Sequence, residues 1–191
     1  RVHRARPNVN IVVRDGTNDI LMPSLLTGDV DLVLGRLSQY RHRKQIAQET
    51  LLNEKFCIVA RAGHPLADHE GEVGFDALKA YDWILPTTET TLRRQLEAEF
   101  LDNGETPPDH AVESVSFLTN RELLKATDML CAMPYHVIEE EIKDGRFVTI
   151  PCPINTSLSP VGVSYRREGG LSPAADAFLS ELKVTAAEME A

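Results

Sequence analysis

Positive charge is in deficit in this chain. Lys and Arg total 20 against 29 Asp and Glu, a formal net charge of −9 with a pI of about 5.1. Affinity for nucleic acid rests largely on Lys and Arg neutralising phosphates, so this surface is expected to repel a phosphate backbone and not to bind DNA on its own. The basic cluster at the start, Arg1, His3, Arg4 and Arg6, reads as a solvated helix end, the usual fate of a charge run. Cysteine is scarce too: Cys57, Cys131 and Cys152 lie far apart with no CxxC pair, which excludes a disulfide framework and a zinc site. Cys57 in Phe56-Cys57-Ile58-Val59 and Cys131 in Met129-Leu130-Cys131-Ala132-Met133 read as small buried hydrophobes. Such usage fits a reducing cytoplasm. No apolar run approaches the roughly 20 residues needed to span a bilayer, and no basic stretch followed by an apolar one marks a secretory signal. The first residue is Arg1 rather than a methionine, and the chain is expected to be part of a longer protein.

The chemistry-bearing motifs are also missing. There is no GxSxG elbow to make a nucleophile of Ser114 or Ser116. HExxH, GxxxxGK[ST] and GxGxxG do not occur, and His3, His42, His64, His69, His110 and His136 show no metal-ligand spacing. His42 and His69 stand in charged, loop-like surroundings, His64 in a turn and His136 in a first helical turn. Glu139-Glu140-Glu141 reads as a solvated helix face rather than paired acid–base carboxylates. Neither catalysis, a metal nor a cofactor is expected.

What is present is an ordinary globular composition, 42% hydrophobic and 26% charged over 191 residues, enough for one large domain or two small lobes. Residues 9–13 are β-branched and apolar apart from Asn10, which suits a buried strand. Gly16-Thr17-Asn18 then opens a helix carrying Ile20, Leu21, Leu25 and Leu26, with Gly28 to end it and Pro23 expected to kink or shorten it. Asp31-Leu32-Val33-Leu34 is the next strand, so 9–34 reads as a right-handed βαβ unit with a parallel pair. Further strands are expected at 46–52, 56–60, 82–85, 112–115, 129–133, 147–150 and 161–165. Helices are expected at 91–101 (Leu92, Leu96 and Phe100 on one face), at 117–127 with Leu118, Leu123 and Leu124 inward, after Pro134, and after Ser172-Pro173. This alternation makes an α/β protein with helices on mainly parallel sheets. Two similar lobes are expected, with crossings near Glu54 and Ser159.

In open α/β sheets ligands collect beyond the carboxyl ends of the strands, where helix N-termini point amide groups outward. The residues there are Thr17, Asn18 and Gly35-Arg36 in one half. In the other they are Pro86-Thr87-Thr88 with Thr90 and Thr91, then Ser114, Ser116, Phe117 and Pro134. Short hydroxyls beside helix starts suit carboxylates or sugar hydroxyls, with Arg36 a candidate counter-charge. Each is equally a preferred helix cap, so the case rests on their joint placement.

Arg6-Pro7-Asn8-Val9, Gly16-Thr17 through Leu25-Leu26 and Gly28-Asp29-Val30-Asp31-Leu32 resemble the RxPxV…L…L..GxxDL run of LysR-type transcriptional regulators. Gly63-His64-Pro65-Leu66 resembles their HPL turn. Leu92-Arg93-Arg94, Pro134, Pro160-Val161-Gly162-Val163, Leu171-Ser172-Pro173-Ala174 and Phe178-Leu179 extend the likeness over almost the whole chain. Thr88 to Arg94, Glu113-Ser114 with Thr119 and Arg121, and the Leu-Ser-Pro-Ala ending resemble the branch that controls sugar uptake and aromatic-acid (protocatechuate) catabolism. The resemblance implies an effector-binding domain of type 2 periplasmic-binding-protein-like fold, two Rossmann-like lobes joined by two crossovers. Lobe I would be residues 1–54 and 159–191, and lobe II residues 55–158. It implies a small metabolite bound between them and homodimers within a tetramer, with no membrane partner. Carried over by position, the ligand contacts are Thr17, Asn18, Arg36, Thr87, Thr88, Ser114, Val115 and Phe117, with Arg121 a secondary one that faces either the ligand, solvent or a subunit. The family's winged helix-turn-helix is not in this chain, nor is the first strand of lobe I with most of its helix. DNA contact is therefore expected only through another part of the protein, and ligand binding by this piece is expected to be weakened or lost. Two other readings share the architecture: a transporter's solute-binding protein, and an enzyme.

Overall fold

The computed structural model describes residues 1–37 and 44–189; His42 lies outside them. The elements run α1 (Val2–Ala5), α2 (Asn18–Thr27), β1 (Leu32–Arg36), β2 (Ile46–Leu52), β3 (Phe56–Arg61), α3 (Phe75–Lys79), β4 (Trp83–Leu85), α4 (Thr91–Asp102), β5 (His110–Glu113), α5 (Phe117–Ala126), β6 (Leu130–Pro134), α6 (Tyr135–Lys143), β7 (Phe147–Ile150), β8 (Val161–Arg166) and α7 (Pro173–Met189). They form two compact units, Arg1–Asn53 with Ser159–Ala191, and Glu54–Leu158.

In the second unit β3, β4 and β6 are apolar almost throughout. A strand sends successive side chains to opposite faces, so such runs need cover on both sides. Phe56, Ile58, Ala60, Trp83, Leu85, Leu130 and Ala132 pack with Leu92, Leu96 and Phe100 of α4. Val59, Ile84, Cys131 and Met133 pack on the other face with Leu124 of α5 and Ile138 of α6. Each large side chain so buried contributes roughly 1.5–3 kcal/mol. Trp83 is fully buried, and its indole N–H donates to the Leu78 carbonyl at 3.0 Å. The strand order is β5-β4-β6-β3-β7. β4 runs parallel to β5 and β6, while β3 is antiparallel to β6 and β7. The carboxyl ends of β4, β5 and β6 therefore share one edge, where α4, α5 and α6 begin.

The first unit holds the sheet β1-β8-β2, antiparallel throughout. Met22 and Leu25 of α2 pack with Val33 and Ile46. Gly162, in the central strand, lets β2 approach: a Cβ there would overlap the Glu49 carbonyl oxygen and the Leu37 side chain. Gly28 ends α2 in the left-handed region at φ 90°, and Arg166 donates to the nearby carbonyls of Leu25 and Val30 at 2.7 and 2.8 Å.

Three expectations are corrected. Residues 9–13 are not a strand, and Val12 and Val13 are 75% and 80% exposed. A strand needs a neighbour for its N–H and C=O groups, and among the described residues none is offered; β1 pairs antiparallel with β8, so no parallel βαβ unit forms. Nor are the sheets mainly parallel. Parallel neighbours need a long crossover, and among the described residues α4 and α5 provide it only for β4, β5 and β6. α2 runs through Pro23 to its expected end at Gly28; Pro23 and Asp19 are exposed, so water reaches the carbonyl that the proline leaves unbonded. Leu118 points outward at 70% exposure, because the α5 face that meets the sheet is Asn120 and Leu124. The short α3 went unread, being little more than one turn.

Candidate functional site

At the shared edge of the second unit, the chain after β4 forms the loop Pro86-Thr87-Thr88-Glu89-Thr90. Thr90 is the N-cap of α4: its hydroxyl donates to the Thr87 carbonyl at 2.8 Å and accepts from the Arg93 amide at 3.2 Å. Arg93, 7% exposed, ties the loop from beneath by donating to the Pro86 carbonyl at 3.3 Å, and Arg94 donates to the Glu89 carbonyl at 2.9 Å. After β5 the Ser114 amide donates to the Leu85 carbonyl at 2.9 Å, which draws the 114–116 loop beside the 86–90 loop. Ser114 Oγ accepts from the Ser116 amide, and Ser116 caps α5 by accepting from the Thr119 amide at 3.3 Å. With the end of β6 and the start of α6, three strand ends and three helix starts thus share one edge. Positive helix ends with first-turn amides suit an anion or a polar oxygen.

Thr87, Thr88, Ser114, Val115 and Phe117 all belong to these two loops and the α5 start. Thr88, Val115 and Phe117 are exposed, the last two at 50% and 44%. In the first unit the Asn18 side-chain amide donates to the Arg36 carbonyl at 3.1 Å, joining the α2 start to the end of β1. Thr17 is the N-cap of α2, but its hydroxyl makes no capping bond. The Arg36 guanidinium donates to the Ser159 carbonyl at 3.2 Å. Each unit therefore gathers its own expected residues. Arg121 is placed differently: its Nε lies 3.0 Å from Glu141 Oε1 without aiming its N–H at it, and a terminal nitrogen donates to the Val137 carbonyl, which fastens α5 to α6.

No group of His, Cys, Asp and Glu among the described residues could hold a metal ion, and none of the described helices is long and apolar enough to cross a membrane. His64, in its turn, is buried: Nδ1 accepts from the Leu66 amide and Nε2 lies 3.0 Å from the Asp128 carbonyl, with Tyr81 against the ring. That is a packing role.

The model of the LysR substrate binding domain matches residues 1–187. The chain belongs to this family. It is similar to the HTH-type transcriptional regulator GalR of Pseudomonas putida, 32% identical over 174 residues, 91% of this chain and 43% of that protein. It is 29% identical over 174 residues to the HTH-type transcriptional regulator PcaQ of Agrobacterium fabrum, 91% of this chain and 56% of that protein. The chain thus spans about half the length of these relatives. Among solved structures, the effector binding domain of QuiR in complex with shikimate is 15% identical with a TM-score of 0.75, covering 98% of this chain and 87% of that one. The fold is the type 2 periplasmic-binding-protein-like fold, mixed α/β with two sheets.

Two residues of this LysR substrate-binding domain escaped the reading of the sequence. Arg93 is a buried charge whose only sequence signal is its place in Leu92-Arg93-Arg94, on a helix whose apolar positions adjoin it. Asn120 is 4% exposed, and its Oδ1 has no hydrogen-bond partner among the described residues. Its signal was faint: it lies four residues before Leu124, on the inward face.

Proposed function

We propose that this domain senses a small hydroxylated or aromatic carboxylic acid, and that Thr87, Thr88, Ser114 and the α5 start bind it in the second unit, with Thr17, Asn18 and Arg36 in the first. One observation carries the reading: short hydroxyl side chains and helix N-termini gather at the carboxyl ends of β4, β5 and β6. Exposed Val115 and Phe117 supply apolar contact for a ring or carbon chain beside those donors. The shikimate complex of QuiR, an acid with ring hydroxyls on a related fold, supports this ligand class. Arg121 belongs to helix packing in this reading. The ligand binds one arrangement of the domain better than another, and that difference in affinity is the signal. The domain works in the cytoplasm as part of a homo-oligomeric regulator whose DNA contacts lie outside these residues, and it does not turn its ligand over.

The test is a calorimetric screen of the protein against sugar acids, shikimate, protocatechuate and benzoate. Saturable binding of at least one acid is expected. Thr88→Ala with Thr17→Ala should weaken it about tenfold or more, the loss of one or two ligand hydrogen bonds. Unchanged affinity in that variant would refute the assignment, and release of a chemically altered ligand, seen by mass spectrometry, would favour an enzyme instead.

A further inference from the structure

We infer that Asn120 is the specificity-determining residue of the second unit's site: its side-chain carbonyl accepts a hydrogen bond from a hydroxyl of the ligand. The inference rests on the sensor reading above. Asn120 is in the first turns of α5, on the face that packs against the sheet with Leu124, and it is 4% exposed. Buried polar atoms nearly always have partners, and one left without carries a desolvation penalty. Oδ1 of Asn120 is such an atom among the described residues. Asn120 stands one turn into α5 from the Ser116 cap, whose carbonyl accepts from the Asn120 main-chain amide at 2.9 Å.

Three main-chain amides near that edge are otherwise engaged. The Ser116 amide donates to Ser114 Oγ, the Thr119 amide to Ser116 Oγ, and the Asn120 amide to the Ser116 carbonyl. The chain leaves β4 through Pro86, and β6 itself ends on Pro134. Proline has no N–H to offer, so the two strand ends that would ordinarily present an amide here present none. An apolar residue would fill this position on α5 without penalty. An unpaired carbonyl oxygen there instead selects a ligand that brings its own donor, which separates hydroxylated acids from their deoxy counterparts. Sites built around a buried polar group discriminate in this way, because the analogue without its partner leaves the group unpaired.

The experiment pairs each hydroxylated acid with a deoxy counterpart: D-gluconate with hexanoate, shikimate with cyclohex-1-ene-1-carboxylate, protocatechuate with benzoate. Wild type, Asn120→Leu and Asn120→Ala are compared by calorimetry and thermal unfolding. Wild type should prefer the hydroxylated member of at least one pair. Asn120→Leu should lose about tenfold or more of that preference, bind the deoxy member within about twofold of wild type, and unfold a few degrees higher without ligand, roughly 2–6 °C. Asn120→Ala should lose the same preference whatever its stability. The Asn120 side-chain amide resonances of the wild type should also move on addition of the hydroxylated acid. Intact preference in both variants, or resonances that stay put at saturation, overturns the role of Asn120 and leaves the sensor reading standing. Failure of wild type to bind any of the six acids overturns both.

Discussion

Cys57, Cys131 and Cys152 are thiols in apolar surroundings, and burial pushes the first two from the ordinary 9.0 up to about 12 and the third to about 11. Desolvation disfavours the thiolate, which is the nucleophile, so none should react with iodoacetamide at pH 8 until the chain unfolds. The same shifts make stability depend on pH. The unfolded state releases its thiol protons near pH 9, whereas the native state holds them until about 11 to 12. The stabilising effect is fully present below pH 9 and is lost as pH rises through the native values, at up to roughly 1.4 kcal/mol per thiol and pH unit. Thermal unfolding followed from pH 8 to 10.5 should therefore fall more steeply for wild type than for a Cys57→Ala, Cys131→Ala, Cys152→Ala variant. Parallel curves would mean that the thiols are solvated. The reading of Cys57 and Cys131 as small core residues stood on their neighbours alone, because an apolar run on both sides leaves a strand residue nowhere polar to point.

The elements themselves show what a periodic pattern does and does not carry. Arg166 donates to the carbonyls of Leu25, which also accepts from the Gly28 amide, and of Val30, and so ties β8 to the last turn of α2 and the chain that follows it. Arg166→Met keeps the stem, removes the donors and should cost about 1–3 kcal/mol, seen as a lower unfolding temperature, with Arg166→Lys between the two. An unchanged midpoint for the methionine variant would show that water replaces the guanidinium. No periodicity in the sequence announces this bond, since its partners lie more than 130 residues apart. By contrast β3, β4, β6, α4 and α6 were legible, because Phe56, Trp83, Leu96 and Ile138 each sit in a local pattern that one face of the sheet satisfies. Residues 9–13 have the composition of a strand but no neighbour to pair with among the described residues, and pairing is a property of distant chain that composition does not record. The site divides the same way. Thr90 and Ser116 were visible as caps, while Asn120 was not, because burial of a polar residue depends on which helix face the sheet covers.

For the molecule as a whole, the two units differ in how completely each covers its sheet. In the second, apolar side chains on both faces of the five-stranded sheet are covered, by α4 on one side and by α5 and α6 on the other. In the first, the buried cluster of Met22, Leu25, Val33 and Ile46 is small, α7 adds mostly alanines (Ala175, Ala177 and Ala186, with Leu179), the β1 edge leaves Leu34 53% exposed, and residues 6–17 form neither helix nor strand. Local opening free energies follow buried apolar contact and protected backbone hydrogen bonds, so the first unit should open more readily than the second. Hydrogen exchange read by mass spectrometry should find the amides of α2 and β1 exchanging at least about tenfold sooner than those of β3, β4 and β6. Equal protection in both units would mean that they open only together, as one cooperative body. If the proposed ligand is bound by residues of both units, its addition should narrow the gap by slowing α2 and β1 more than β3, because a ligand stabilises whichever states retain its contacts. Slowing confined to the second unit would restrict the binding residues to the β4, β5 and β6 edge.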